Sequence, residues 1–258
     1  MISLFKIIKI ELIKTSKLRV FSLLFLLPIF ITLFGVYINH EQIANGYWVG
    51  SNFWRLYFNY MLWIYGMLLP IIQCVIANVQ MGVEFKGNAF QMLYTLPVRR
   101  SHILFSKLVV HILYTFFFLL CAFALMLLSG TILLQIYPDP TFLEYDFFYP
   151  ILLLFVQLLV ASITIGIIHL CISYCNVTSQ ISILMASFAT ILSIFATNWT
   201  YVYIIPYAWI FKCTQNFSLY EEMHLFSPEM FAMMVYATIF VIITLLINKR
   251  KKIFTLWV

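Results

Sequence analysis

LVVHILYTFFFLLCAFALMLLSGTILLQI, Leu108 to Ile136, contains no aspartate, glutamate, lysine or arginine. A helix needs about 20 apolar residues to cross the hydrocarbon core of a bilayer, and this run exceeds that length. Its apolar residues do not alternate with polar ones, as a strand of a membrane barrel would require. The run therefore reads as a membrane-spanning helix, and its surplus length implies tilt or extension beyond the bilayer.

The same reading applies on both sides of it. Val20–Ile38 and Leu56–Val83 precede it; Pro150–Tyr174, Gln180–Thr197 and Met230–Asn248 follow. Hydrophobic residues make up 64% of the 258, aromatics 19% and charged residues 9%. A soluble domain carries about 25% charged residues, so this chain cannot cover itself with a polar surface. The expected fold is an all-α integral membrane protein with six transmembrane helices. Residues 1–258 form one transmembrane domain, because no polar stretch is long enough to build another.

Charge sets the expected orientation. Lys6, Lys9, Lys14, Lys17 and Arg19 precede the first span. Lys86, Arg99, Arg100 and Lys107 lie between the second and third, and Lys249 to Lys252 follow the sixth. Only Arg55 and Lys212 fall on the other side. By the positive-inside rule both termini face the cytoplasm. The net charge of +6 is then a topology signal and calls for no nucleic-acid partner. The first run is longer than a signal-peptide core and has no small-residue cleavage site after it, so it is expected to stay as an anchor.

Residues 1–19 are expected to form an interfacial elbow helix. At 100° per residue Leu4, Phe5, Ile8 and Leu12 fall on one side, and Lys6, Lys9 and Lys17 on another, with Ile2, Ile10 and Ile13 interrupting the basic arc. Such a helix lies on a leaflet surface and suits anionic lipid.

Between the second and third spans runs EFKGNAFQMLYTLPVRRSHILFSK, Glu84 to Lys107. Glu84, Asn88, Gln91 and Thr95 share one narrow arc of a helical wheel. Phe85, Ala89, Phe90, Met92, Leu93 and Tyr94 fill the rest. The pattern predicts a short helix over 84–96, with a thin polar stripe and a wide apolar face. Gly87 loosens its first turn, and Pro97 ends it by breaking the hydrogen-bond ladder.

This stretch resembles the permease subunits of ABC-2 type exporters. The resemblance rests on Glu84, Gly87, Leu93, Thr95, Leu96, Pro97, Val98, Arg100, Ile103 and Lys107, and on the N-terminal IELIKTSKLRVF. The six-span layout extends it over the chain. It is closest to the branch that protects Gram-positive bacteria against lantibiotics and similar peptides. The resemblance implies that 84–96 is a coupling helix seated in a groove of a separate ATP-binding subunit. Glu84, Gly87, Asn88, Gln91, Leu93, Tyr94, Thr95, Pro97, Arg99 and Arg100 would then make the ATPase contact. It also implies a second permease, identical or sister, and an amphipathic peptide or lipid-like substrate. The setting it implies is a bacterial plasma membrane, with ATP and magnesium held by the partner and no cofactor on this chain.

The absences agree with a non-catalytic subunit. No G-x-x-x-x-G-K-[ST] phosphate loop occurs. The runs as drawn contain no charged residue, whereas ion-coupled carriers keep such groups on their path. Gln73, Asn78 and Gln80, His111, and Gln157, Ser162, Thr164 and His169 are among the polar residues within them. Gln73, Asn78, Gln157 and Thr164 are candidates for a translocation surface, but interhelical hydrogen bonding is the commoner use of such groups. His111 and His169 lack partners at metal-ligand spacing, and the five cysteines are scattered and read as small packing residues.

Between the fifth and sixth spans, residues 198–229 form the expected outer loop. Its YVYIIPYAWIF is too short to cross and is split by Pro206, so a re-entrant segment is expected. Trp199, Tyr201, Tyr203, Tyr207 and Trp209 suit the headgroup layer. Trp199, Tyr207 and Trp209, with the acidic pair Glu221 and Glu222, are the candidate outer contacts for a cationic substrate. The same acidic pair, with His224, weakly resembles that of intramembrane CAAX proteases. The arginine of that motif is missing here, and the pair falls outside the predicted spans. A sensor or assembly subunit without a transport path is the other alternative; co-purification with an ATPase would favour the exporter.

Overall fold

The computed structural model describes residues 4–16, 19–48, 51–85, 100–138, 148–175, 177–219 and 227–254. These residues form eight α-helices and one 3-10 turn, with no strand among them. The helices are α1 (Leu4–Ser16), α2 (Arg19–Ala44), α3 (Phe53–Phe85), α4 (Arg100–Ile136), α5 (Phe148–Tyr174), α6 (Ser179–Ala196), α7 (Ala208–Leu219) and α8 (Pro228–Phe254). Among the described residues α3, α4, α5, α6 and α8 are long and apolar enough to cross a membrane. The 26-residue α2 packs beside α3 and α4.

Local chemistry marks the helix ends. Asn52 caps α3, its side-chain oxygen accepting the Arg55 N–H at 3.2 Å. Ser227 caps α8 by accepting the Met230 N–H at 3.2 Å, and Pro228 follows it where a missing N–H costs nothing. After α2 the chain turns at Gly46, whose φ of 76° is open to glycine at little cost. The Tyr47 N–H bonds the Gln42 carbonyl and the Gly46 N–H the Ile43 carbonyl, closing the helix in a Schellman motif.

The core is centred on α3 and α5, with 67% of the most apolar window of α5 and 61% of that of α3 buried. The figures for α6 and α8 are 22% and 17%, so these two helices turn most of their apolar surface outward. α2 and α3 are joined at Tyr65, whose hydroxyl donates to the Pro28 carbonyl at 3.2 Å and bonds the Thr32 hydroxyl at 3.0 Å. At the α3 N-terminal end the rings of Trp48, Phe53, Trp54, Tyr57 and Phe58 are packed together and buried. Phe53 and Tyr57 stack at 5.8 Å, while Trp54 meets Phe53 edge-on at 5.6 Å, both favourable arrangements for aromatic quadrupoles.

On α1 Ile8 and Leu12 are half-buried against the core, Phe5 is 77% exposed, and the deeply buried residues are Glu11 and Thr15. Glu11 is buried because a partner, described below, satisfies it. One expectation changes here: Trp209, expected in the headgroup layer, is fully buried in α7 against the bundle, beside the equally buried Cys213.

Candidate functional site

The site is built where α1, the end of α3 and the start of α4 meet. Lys107, two turns into α4, is buried and donates to Glu11 Oε1 of α1 at 2.6 Å. It also donates to the Gln80 carbonyl of α3 at 3.2 Å. Lys14 approaches the other carboxylate oxygen of Glu11 at 3.5 Å, with a quarter of its side chain exposed. One turn along α1, the Thr15 hydroxyl bonds the Tyr114 hydroxyl of α4. A buried charge survives only when paired and hydrogen-bonded, so these contacts require one another. They clasp three elements together. Residues 86–99 run between the α3 end and the α4 start, so the clasp ties both flanks of that segment to each other and to α1.

The segment itself lies outside the described residues. Gly87, Asn88, Gln91, Leu93, Tyr94, Thr95, Pro97 and Arg99 therefore have no described position. Glu84 is the penultimate residue of α3 and Arg100 the first of α4, both as backbone only. Glu221 and Glu222 are likewise outside the described residues.

A second polar feature runs through the bundle beyond the clasp. Ser173 of α5 donates to Asn78 Oδ1 of α3 at 2.7 Å. Asn78 Nδ2 donates to Cys74 Sγ at 3.2 Å, and Cys74 meets the Ser182 hydroxyl of α6 at 3.2 Å. Ser182 reaches His169 Nδ1 at 3.3 Å, and His169 Nε2 shares a 2.8 Å hydrogen bond with the Tyr207 hydroxyl. This chain connects α3, α5 and α6 to the turn before α7. His169 lies about 30 Å along α5 from its first residue, at 1.5 Å per residue, so Tyr207 reaches far down the bundle. Tyr236 of α8 holds the same turn through the Ile204 carbonyl at 2.7 Å.

Of the candidate translocation residues, Asn78 belongs to this chain. Gln73 accepts from Thr115 of α4 at 2.9 Å. Thr164 donates to its own helix at Val160 and points toward the Met233 carbonyl of α8 at 3.4 Å. Gln157 is buried on α5. All four are buried. Among the outer candidates, Trp199 is half exposed, Tyr207 turns inward to His169 and Trp209 is enclosed.

Sequence reasoning did not pair Glu11 with Lys107. A signal was present: Glu11 is the lone acid among the basic residues of the N-terminal segment, and Lys107 abuts an apolar run. Lys107 lies just outside the apolar run Leu108–Ile136, on the part of α4 that begins before it.

Residues 7–193 match the family model described as ABC-2 family transporter protein. The match covers well over half of the chain and takes in Glu11, Gln80, Lys107 and the polar chain as far as Ser182. The chain belongs to the ABC-2 family of transporter proteins. It is a multi-pass permease component of an ABC transporter, a class that is generally non-catalytic and works with an ATP-binding partner subunit. Comparison with curated proteins and with solved structures found no match.

Proposed function

We propose that this permease exports an amphipathic peptide or lipid-like molecule, as in protection against lantibiotics, and that it works beside a second permease, identical or sister. ATP and magnesium are bound by the partner ATPase. The chain crosses a bacterial plasma membrane six times, α2 being the first span, with both termini cytoplasmic. The stretch from η-turn 202–204 through α7 re-enters from the outer side. Residues 84–96 form the coupling helix.

The observation that carries this reading is the clasp. A coupling helix must pass a displacement into the bundle, and rigid elements joined by discrete contacts carry such coupling. Lys107 holds the Gln80 carbonyl of α3 and the Glu11 carboxylate of α1, so the two helices that flank 86–99 are tied to each other and to α1, and a push on that segment acts on all three as one body. The lantibiotic branch and the substrate class are supported by sequence resemblance alone.

The test separates coupling from folding. Glu84→Ala, and the double variant Asn88→Ala/Gln91→Ala, should keep membrane abundance near normal. Both should lose ATP-dependent protection of cells against a challenge peptide. If both variants still bind the ATPase and protect fully, 84–96 is an ordinary interfacial loop. Orientation is tested by single-cysteine labelling from outside in a cysteine-free background. Position 144 should label in intact cells and position 251 only after permeabilisation; the reverse pattern refutes the cytoplasmic termini.

A further inference from the structure

An apolar cavity of about 290 Å³ opens between α1, α2 and α4. Leu12, Ile13 and Ser16 line it from α1, Phe25 from α2, and Leu113, Tyr114, Phe117 and Phe118 from α4. Its walls are almost wholly hydrocarbon, yet it adjoins α1, which carries Lys6, Lys9 and Lys14 within 13 residues. On the α1 wheel Lys9 falls within the arc spanned by Leu12, Ser16 and Ile13. It therefore lies on the cavity face, one turn nearer the α1 N-terminus, and it is exposed with no ion pair among the described residues. Lys6 is exposed at the edge of the same face.

The α1 N-terminus also marks the polar end of this groove. α1 meets α4 at Lys107 through Glu11 and at Tyr114 through Thr15, so the two helices run in the same sense. Following that direction, a ligand would meet the Lys9 ammonium first and the rings of Phe25, Phe117 and Phe118 afterwards. A cation followed by a hydrocarbon slot is complementary to one molecular class, a lipid with an anionic headgroup.

We propose that this groove is a binding site for an anionic phospholipid, whose phosphate is held by Lys9 and whose acyl chain lies between α1, α2 and α4. The lipid would lie beside the clasp, against Tyr114, so that α1 is held by the Glu11–Lys107 pair on one face and by lipid on the next. The choice of the inner leaflet rests on the cytoplasmic termini proposed above; binding itself does not.

Native mass spectrometry of the full-length chain tests it, with dioleoyl phosphatidylglycerol and dioleoyl phosphatidylcholine added separately to the detergent-purified protein. The phosphatidylglycerol adduct should survive activation that strips phosphatidylcholine. Lys9→Gln should lower its occupancy about fivefold, the effect of one basic residue near a membrane surface, and Lys9→Arg should restore it. Ser16→Phe, a change at an exposed position that projects a ring into the groove, should reduce retention of both lipids. Equal retention of the two lipids by the unmodified protein overturns the proposal. So does phosphatidylglycerol binding unmoved by both Lys9→Gln and Ser16→Phe, or retention of detergent only. Since this readout is independent of labelling, an inverted topology would reassign the leaflet and leave the site standing.

Discussion

Replacing Lys107 with methionine is expected to destabilise the protein by about 3–5 kcal/mol, the usual cost of stranding one member of a buried ion pair. Glu11 would be left in a site where 7% of its side chain is exposed, with Lys14 at 3.5 Å as its remaining cation. Lys14 is partly solvated, and such pairs contribute about 0–1 kcal/mol, so it cannot take over. Lys14→Ala should accordingly change little. The diagnostic variant is the double one, Glu11→Leu/Lys107→Met, which removes both charges together. Apolar replacement of a whole buried pair is often neutral, so the double variant should be more stable than Lys107→Met alone. Thermal unfolding of the four proteins in detergent gives the cycle directly. If the two single changes simply add, Glu11 and Lys107 are not coupled and the clasp has no energetic content.

Gly166 is the second position of large expected effect. A Cβ placed there would collide with His111 Nε2 and lie 2.7 Å from both neighbouring ring carbons. The missing side chain is what allows α5 to receive the imidazole of α4. Gly166→Ala must displace the ring or part the helices, and overpacking of this kind costs about 1–3 kcal/mol. Gly166→Leu should cost more and lower membrane abundance visibly. The combination Gly166→Ala/His111→Ala removes the obstacle and should recover most of the loss. His111 stands one turn beyond Lys107 on α4, so a shift at this contact also moves the clasp. Unchanged unfolding temperature in Gly166→Ala would show that the α4–α5 approach is looser than described.

Much of the fold was legible because membrane solvation is a strong constraint. The apolar runs Leu56–Val83, Leu108–Ile136, Pro150–Tyr174, Gln180–Thr197 and Met230–Asn248 lie inside α3, α4, α5, α6 and α8 to within one residue. Helix extensions such as Arg100 to Lys107 were not legible, because hydropathy marks where lipid contact ends rather than where backbone hydrogen bonding ends. The burial of Glu11 was not legible for a related reason. A wheel ranks residues by side-chain polarity, and Glu11 is buried only because Lys107, far away in sequence, neutralises it. Tyr207 and Trp209 were assigned to a headgroup layer by their amphipathic rings. Instead, a hydrogen bond to His169 draws Tyr207 inward, and the packing of α7 encloses Trp209. The polar residues Gln73, Asn78 and Thr164 could be named from sequence, but their partners depend on helix rotation, which periodicity does not fix across helices.

The clasp has a consequence for biosynthesis. Glu11 and Lys107 are 96 positions apart, and translation proceeds at about 5–20 residues per second. For several seconds, therefore, the newly made N-terminal helix carries a carboxylate whose permanent counter-charge does not yet exist. During that interval Glu11 must stay hydrated or lean on Lys14. Docking of α1 is thus timed by the emergence of α4. The pair records the order of manufacture: α1 is made before its seat exists and docks only after α4 has followed it.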